Sequence, residues 1–319
     1  MKLTKKEANE IAKLYDLGKV KSFNLFSEGW VNYNFALKTE KGNYVIRVLG
    51  KKYDRDKRKL IDMEFDFLYY LNKIDFPYRV PNPLKTLNGN ILTKKWGKKI
   101  WIYEMLPGKS KNPITIKKKP VAETAKALAT YHKYVKNYPG RKIRKPDILK
   151  GVDKNYAKMV KVRPLRKDDR LMLENLEMFN MILKKVKKIK FDTEMLMTHS
   201  DFTSGNLLFD SKDKVVGIVD FEVASYAPKI KDIGQTLKSM CKKKNERIEF
   251  IKVYQKYNKL TNKELKQLPW IAMRDNCFYF QLFYNTEPSK FTSDEDRLRK
   301  KLTLMNWVIS STKRLLEKM

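Results

Sequence analysis

Cysteine and histidine are nearly missing from this sequence, with two of each in 319 residues. Cys241 and Cys277 are too few and too isolated for a disulfide framework or a cysteine–histidine zinc site. Low-complexity linkers and internal repeats are also missing. No apolar run approaches the roughly 18 to 20 residues that span a bilayer. The opening stretch, MKLTKKEANEIAKLYDLG, has no continuous apolar segment of the secretory kind. It reads as an amphipathic helix carrying Ile11, Leu14 and Tyr15, with Thr4 and Glu7 as a capping box. These absences predict a cytoplasmic protein with no membrane partner. Apolar residues at 42% and aromatics at 12% exclude a disordered chain.

Negative charge is scarce as well, 36 acids against 70 bases for a net charge of +34. Nucleic-acid readers favour arginine for bidentate contacts and gather their charge into a stripe. Here 56 of the bases are lysine, spread through KKYDRDKRK, TIKKKP, KKVKKIK and CKKKN. Runs of this kind belong to solvated helix faces and loops, or to the lysine enrichment of a proteome. No specific nucleic acid is expected as a partner, only sequence-blind polyanion binding at low salt.

The pattern of the chain changes near residue 107. Before it, SFNLFS, NYNFALKT and NYVIRVL read as strands, the last two joined by a turn at Lys41-Gly42-Asn43. A helix follows over KLIDMEFDFLYYLNKI, then two short strands around the turn Asn88-Gly89-Asn90. After Pro107-Gly108 the pattern is mostly helical. PVAETAKALATYHKYV sets Val121, Leu128, Tyr131, His132 and Val135 on one face, and DDRLMLENLEMFNMILKKV repeats the logic. Three later helices have caps at Asn245, at Thr261 with Glu264, and at Ser293 with Asp296. The fold class is therefore α+β: a strand-rich lobe over 1–106 and a larger helical lobe over 107–319. Ligand sites favour such junctions.

One segment, THSDFTSGNLLFD at 198–210, has no lysine or arginine. Asn206–Phe209 and Val215–Val219 read as two apolar strands closed by the polar SKDK turn. Such a hairpin brings Asn206, at its start, to Asp220, at its end. Amide and carboxylate oxygens suit Mg²⁺, which keeps phosphate and water in its shell. Asp201, just upstream, can accept the proton of an attacking hydroxyl, and phosphoryl transfer needs little else from a protein. Each residue alone has an ordinary structural role: a turn cap, a left-handed position after Gly205, a strand end. Their joint spacing favours the chemistry. A neighbouring ammonium would depress the basicity of Asp201, which accounts for the missing lysines.

HSDFTSGNLLFD…GIVDFE resembles the catalytic segment of the aminoglycoside phosphotransferase family, the branch of the protein-kinase-like fold that also holds choline and homoserine kinases. The resemblance runs through nearly the whole chain, in FSEGWVNYNFAL, NYVIRV, EFDFLYYL, YEMLPG, ALATYH and KDIGQTL. It implies an ATP- and Mg²⁺-dependent phosphotransferase acting on a small-molecule hydroxyl. By that resemblance Asp201 is the catalytic base and Asn206 and Asp220 hold the metal. Ser27, Gly29 and Asn32 belong to the nucleotide-covering loop, and Arg47 contacts phosphate with Glu64 as its partner and Asp66 as the weaker one. Glu104 and Met105 present backbone groups to adenine. His199 and Asp232 support the catalytic loop, Asp232 by capping a helix beneath it. The covering loop departs from the pattern in having a single glycine.

Two rivals remain at this stage: a RIO-like protein or RNA-associated kinase, and a catalytically silent polyanion-binding protein on a kinase scaffold. DFE in place of DFG counts against the first, and intact Asp201, Asn206 and Asp220 against the second. For the acceptor, a polycationic aminoglycoside needs several carboxylates. Glu222, Glu246, Asp275, Glu287 and the run Asp294-Glu295-Asp296 are a thin supply. CFYFQLFY at 277–284 can wall a smaller acceptor, although half of its rings suit an ordinary buried helix. A choline-like or homoserine-like metabolite is expected ahead of an aminoglycoside.

Overall fold

A computed structural model describes residues 3–28, 32–50, 55–95, 97–112, 116, 120–145, 147–286 and 293–317. In chain order the elements are α1 (Lys5–Leu14), β1 (Val20–Glu28), β2 (Tyr33–Thr39), β3 (Asn43–Val48), α2 (Arg55–Lys73), β4 (Thr93–Lys95), β5 (Lys98–Glu104), α3 (Val121–Val135), α4 (Val152–Met159) and α5 (Lys167–Val186). They continue with β6 (Met195–Thr198), β7 (Leu207–Phe209), β8 (Val215–Ile218), β9 (Ser225–Pro228), α6 (Ile230–Met240), α7 (Lys244–Tyr257), α8 (Asn262–Asn285) and α9 (Asp294–Leu316).

The first unit comprises Met1–Lys111, Tyr138–Ile143 and Gly205–Glu222. Its antiparallel sheet has the order β1-β2-β3-β5-β4. Period-two alternation turns Phe35 and Leu37 of β2 inward. Phe35 pairs with Ile46, which pairs in turn with Ile102, so one face is apolar from strand to strand. That face packs on Ala8, Ile11 and Ala12 of α1, each large side chain contributing about 1.5–3 kcal/mol on burial. Helix α1 starts as its sequence suggests. Thr4 N donates to Glu7 Oε2 at 2.8 Å, and Glu7 N donates to Thr4 Oγ1 at 3.3 Å.

One expectation is corrected in this unit. Asn88-Gly89-Asn90 does not join the strand pair β4–β5. Lys95 faces Lys98 across that pair, while Asn88–Asn90 forms a separate turn in which Gly89 N donates to Thr86 O at 2.8 Å. Hairpin β7–β8 belongs to this first unit. Backbone bonds hold it there: Arg79 N to Val216 O at 3.0 Å, Ile218 N to Arg79 O at 2.8 Å, and Lys109 N to Phe209 O at 2.9 Å. Gly108 allows the last of these. At φ +94, a Cβ there would sit 2.9 Å from Phe209 O.

The second unit comprises Asn112–Asn137, Arg144–Ser204 and Val223–Met319. Helices α4, α5, α8 and α9 share a core around Met172, Phe179, Phe280 and Met305, with Phe179 and Phe280 stacked at 4.0 Å. Strands β6 and β9 pair antiparallel, and Tyr131 of α3 donates its hydroxyl to Met197 O of β6 at 2.8 Å. The expected caps at Thr261–Glu264 and Ser293–Asp296 are present. The Asn245 cap is not. The cap of α7 falls two residues earlier, at Lys243, whose N–H donates to Glu246 Oε2 at 2.8 Å. Both cysteines are free and buried, and burial pushes the Cys277 thiol up to about 12. Among the described residues no helix is long and apolar enough to cross a membrane.

Gly108 and Gly89 offer a matched pair for testing the hairpin clamp. Gly89 has φ +78, but a Cβ added there would meet nothing within 4 Å, so Gly89→Ala should cost only left-handed strain, about 1–2 kcal/mol. Gly108→Ala adds a steric clash with backbone and should cost more, about 2–4 kcal/mol. Urea denaturation of both variants measures this, and equal losses would remove the packing argument.

Candidate functional site

In the first unit, β7–β8 juxtaposes the two expected metal residues. Asn206 precedes β7 and Asp220 follows β8, and Val219 N donates to Asn206 O at 2.9 Å. Asp220 adopts φ 68, a left-handed conformation that aspartate tolerates at a cost.

Arg47 of β3 reaches this hairpin. Its Nη2 lies 2.6 Å from Asp220 Oδ1 and 3.2 Å from Glu222 Oε2. Asp220 and Glu222 thus join the expected Glu64 among the carboxylates that act on Arg47. Glu64 is itself buried and adds its charge to Arg47, whereas Asp66 is exposed. Burial works against the guanidinium, and the three carboxylates outweigh it and hold its pKa above the ordinary arginine value. Arg47 also lies over Trp101, 6.0 Å from the ring centroid.

Asn32 is buried and braced at both ends. Its amide nitrogen donates to Glu222 Oε2, and its oxygen accepts from Gly50 N at 3.1 Å. Glu222 therefore ties Asn32 to Arg47, a role that the sequence reading did not assign to it. Its signal was present as the DFE variant of the motif. Glu104 closes β5 opposite Tyr44. Met105 gives its N–H to Asn43 O at 2.9 Å, which leaves its carbonyl as the backbone group to offer. Gly29 and the side chain of Ser27 lie outside the described residues.

In the second unit, residues 198–204 form a loop held from below by Asp232. His199 N donates to Asp232 Oδ2 at 2.8 Å and Ser200 N donates to Oδ1 at 2.6 Å. Asp232 is fully buried and stands as the third residue of α6, so it does not cap that helix; the cap position is Lys229. Ser200 takes φ 67 under this restraint. His199 is buried against Tyr131 and Phe202, and its Nδ1 accepts from Asp201 N at 3.3 Å.

Asp201 Oδ1 accepts from Gln235 Nε2 at 3.3 Å. One turn further along α6, Lys238 is buried with its ammonium 4.8 Å from the Tyr279 centroid and 6.0 Å from that of Trp307. Burial pushes its pKa down to about 8, with Asp275 and Asp201 partly opposing. Lys231 Nζ donates to Ser200 Oγ at 3.2 Å. The lysine-free segment is therefore not free of neighbouring ammonium groups: α6 brings two of them, which corrects the reason given for that absence. Gln235 and Lys238 escaped the sequence reading, whose one signal for them was polar residues at three-residue spacing inside a largely buried helix. Asp275 of α8 was considered only among the scattered acids for a cationic acceptor. A separate 420 Å³ cavity in this unit, between Arg144, Lys187 and Arg274, contains none of the expected site residues.

Residues 22–263 match the model of the phosphotransferase enzyme family. A homoserine kinase of Caulobacter vibrioides is 26% identical over 256 residues, covering 75% of this chain and 72% of that protein. A microcompartment-associated aminopropanol kinase superposes with a TM-score of 0.70 at 15% identity, over 97% of both chains. An amicoumacin kinase in complex with AMP-PNP, Ca²⁺ and Ami gives 0.65 at 16% identity, over 95% of this chain and 92% of that one. The fold is α+β and protein-kinase-like, an antiparallel sheet followed by a mainly helical part.

Lys238 generates a prediction about stability. Its folded pKa, about 8, lies below the ordinary 10.5, so the unfolded chain binds the extra proton between those values and stability rises with pH there. Below about pH 8 the buried ammonium costs about 3 kcal/mol. Lys238→Met should therefore be more stable than the parent at pH 7, and the advantage should shrink as pH rises from 8 to 10.5. Paired denaturation curves across that range measure it; a constant difference would contradict it.

Proposed function

Because the chain belongs to the phosphotransferase enzyme family, we propose that it transfers the terminal phosphoryl group of ATP, with Mg²⁺, to a hydroxyl of a small molecule. The observation that carries this is the β7–β8 hairpin, whose closing bond from Val219 N to Asn206 O sets an amide and a carboxylate at one end of two strands. Asp201 stands just upstream on the chain. Among the described residues no three His, Cys, Asp or Glu side chains converge on a metal position. Two oxygen ligands fit a hard cation that completes its shell with phosphate and water. Mg²⁺, when bound, supplies positive charge against the charge on the phosphoryl oxygens.

The roles of the residues follow. Asp201 accepts the proton of the attacking hydroxyl, and its hydrogen bond from Gln235 fixes the carboxylate that does so. Arg47 and Glu222 orient Asp220. The carbonyls of Glu104 and Met105 face the adenine amine. Asp232 and His199 hold the backbone of the loop that carries Asp201. The relatives that are homoserine kinases support a small hydroxylated amino acid or amino alcohol as acceptor. The deficit of acids on this chain speaks against a polycationic aminoglycoside.

Asp201→Asn keeps the shape and loses the proton acceptor. Turnover should fall by roughly 10²- to 10⁴-fold with nucleotide binding almost unchanged; near-normal turnover would take Asp201 out of the mechanism. Asp220→Ala removes an anionic ligand. Thermal stabilisation by Mg-ATP should shrink sharply while stabilisation by adenosine persists. An unchanged response to Mg-ATP would show that the metal is held elsewhere.

A further inference from the structure

Three lysines are buried among the described residues, Lys229, Lys238 and Lys301. Two of them have carboxylates to meet. Lys229 Nζ lies 2.7 Å from Glu194 and 3.4 Å from Glu264, and Lys301 Nζ lies 2.7 Å from Asp168. Lys238 Nζ has no hydrogen-bond partner. A buried ammonium left so costs several kcal/mol, and a fold seldom retains that cost without a use.

Its surroundings point to the use. On α8, Asp275 is 4% exposed and its Oδ1 also lacks a hydrogen-bond partner. On α6, Gln235 spends its Nε2 on Asp201, while its Oε1 has none. Gln235 and Lys238 are three residues apart and share a helix face. Gly234 lets α6 approach α8 closely, since a Cβ there would lie 3.1 Å from Ile271 Cγ2. Tyr279, which stacks on Phe283, and Trp307 wall the ammonium. One ammonium without a hydrogen-bond partner, one carboxylate whose Oδ1 meets only Arg274 Nη1 at 3.7 Å, and an amide oxygen thus gather beside aromatic walls and beside Asp201, all within the second unit.

We propose that Lys238 selects the acceptor: it takes the carboxylate of a small hydroxylated amino acid whose ammonium faces Asp275. This rests on the kinase reading and deepens it. A carboxylate satisfies the buried donors with charge-assisted bonds. An acceptor with positive charge alone, a quaternary amine or a polyamine antibiotic, would bring a second cation against Lys238 and leave its ammonium unpaired. The aromatic walls therefore do not form a cage for a cationic ligand, because a lysine already occupies that place.

The test uses two probes that differ only in the carboxylate and have no hydroxyl to phosphorylate: L-2-aminobutanoate and propylamine. Isothermal titration calorimetry on the parent should show the amino acid bound roughly 10- to 100-fold more tightly, the share of a hydrogen bond to a charged group. In Lys238→Met the ratio should fall to near one, and Asp275→Asn should weaken both probes. A ratio near one in the parent, with neither probe bound included, or a ratio unchanged by Lys238→Met would overturn the proposal. Circular dichroism establishes that each variant is folded. A kinetic arm separates this proposal from the reading beneath it, comparing L-homoserine with 3-aminopropan-1-ol, its decarboxylated counterpart. A higher kcat/KM for the amino alcohol overturns the carboxylate assignment and upholds the kinase. An intact binding ratio without phosphoryl transfer to any small hydroxyl overturns the kinase alone.

Discussion

The buried carboxylate of Asp232 is the constraint on which the loop at 198–204 depends. A carboxylate out of water is costly unless its oxygens are filled, and here they are filled by the N–H groups of His199 and Ser200. His132 of α3 adds Nε2 at 3.2 Å from Asp232 Oδ2, and its Nδ1 lies 2.7 Å from the Tyr254 hydroxyl of α7. One charge therefore binds α3, α6 and α7 to the turn that carries Asp201. The left-handed Ser200 is the strain this network holds in place. Removal of any one partner would leave a buried polar group unpaired, so the network stands or fails as a unit.

A second ionic cluster does the same work in the first unit, with opposite sign. Arg47 is the buried cation, and Asp220, Glu222 and Glu64 surround it. Three anions around one cation leave a net negative charge, which is the field a divalent cation requires. Such a cluster is poor evidence of stability, since the desolvation of each member offsets much of the attraction. Its value lies in fixing Asp220, and through Asn32 it fixes the chain at Gly50 as well.

Local chemistry was legible in the sequence and long-range charge pairing was not. Thr4–Glu7 and Thr261–Glu264 involve residues three apart whose hydrogen bonds form within one turn, so the capping boxes could be read directly. The hairpin bearing Asn206 and Asp220 was legible for the same reason, as two apolar runs around a polar turn. The pairing of Arg47 with Asp220 was not, because the two lie 173 residues apart and nothing local points from one to the other. The turn Asn88-Gly89-Asn90 misled because a turn dipeptide reports a reversal of the chain without saying which strands it joins. The place of the hairpin in the first unit was not legible either, because the bonds of Arg79 and Lys109 to it leave no trace in composition.

The absence of lysine from residues 198–210 acquires a different meaning once α6 is in view. A lysine in the loop itself would have a flexible stem and could swing its ammonium onto Asp201, pairing with its carboxylate and lowering its basicity. Lys238 stands on a buried helix with its stem enclosed and its head against Tyr279 and Trp307. Its charge reaches Asp201 through space, while the hydrogen bond to the carboxylate comes from the neutral Gln235. Placement on a helix, rather than avoidance of charge, is what leaves the Asp201 carboxylate hydrogen-bonded to a neutral amide. The same burial that restrains the ammonium removes it from water, and an ammonium without water is selective for the one ligand group that can replace it.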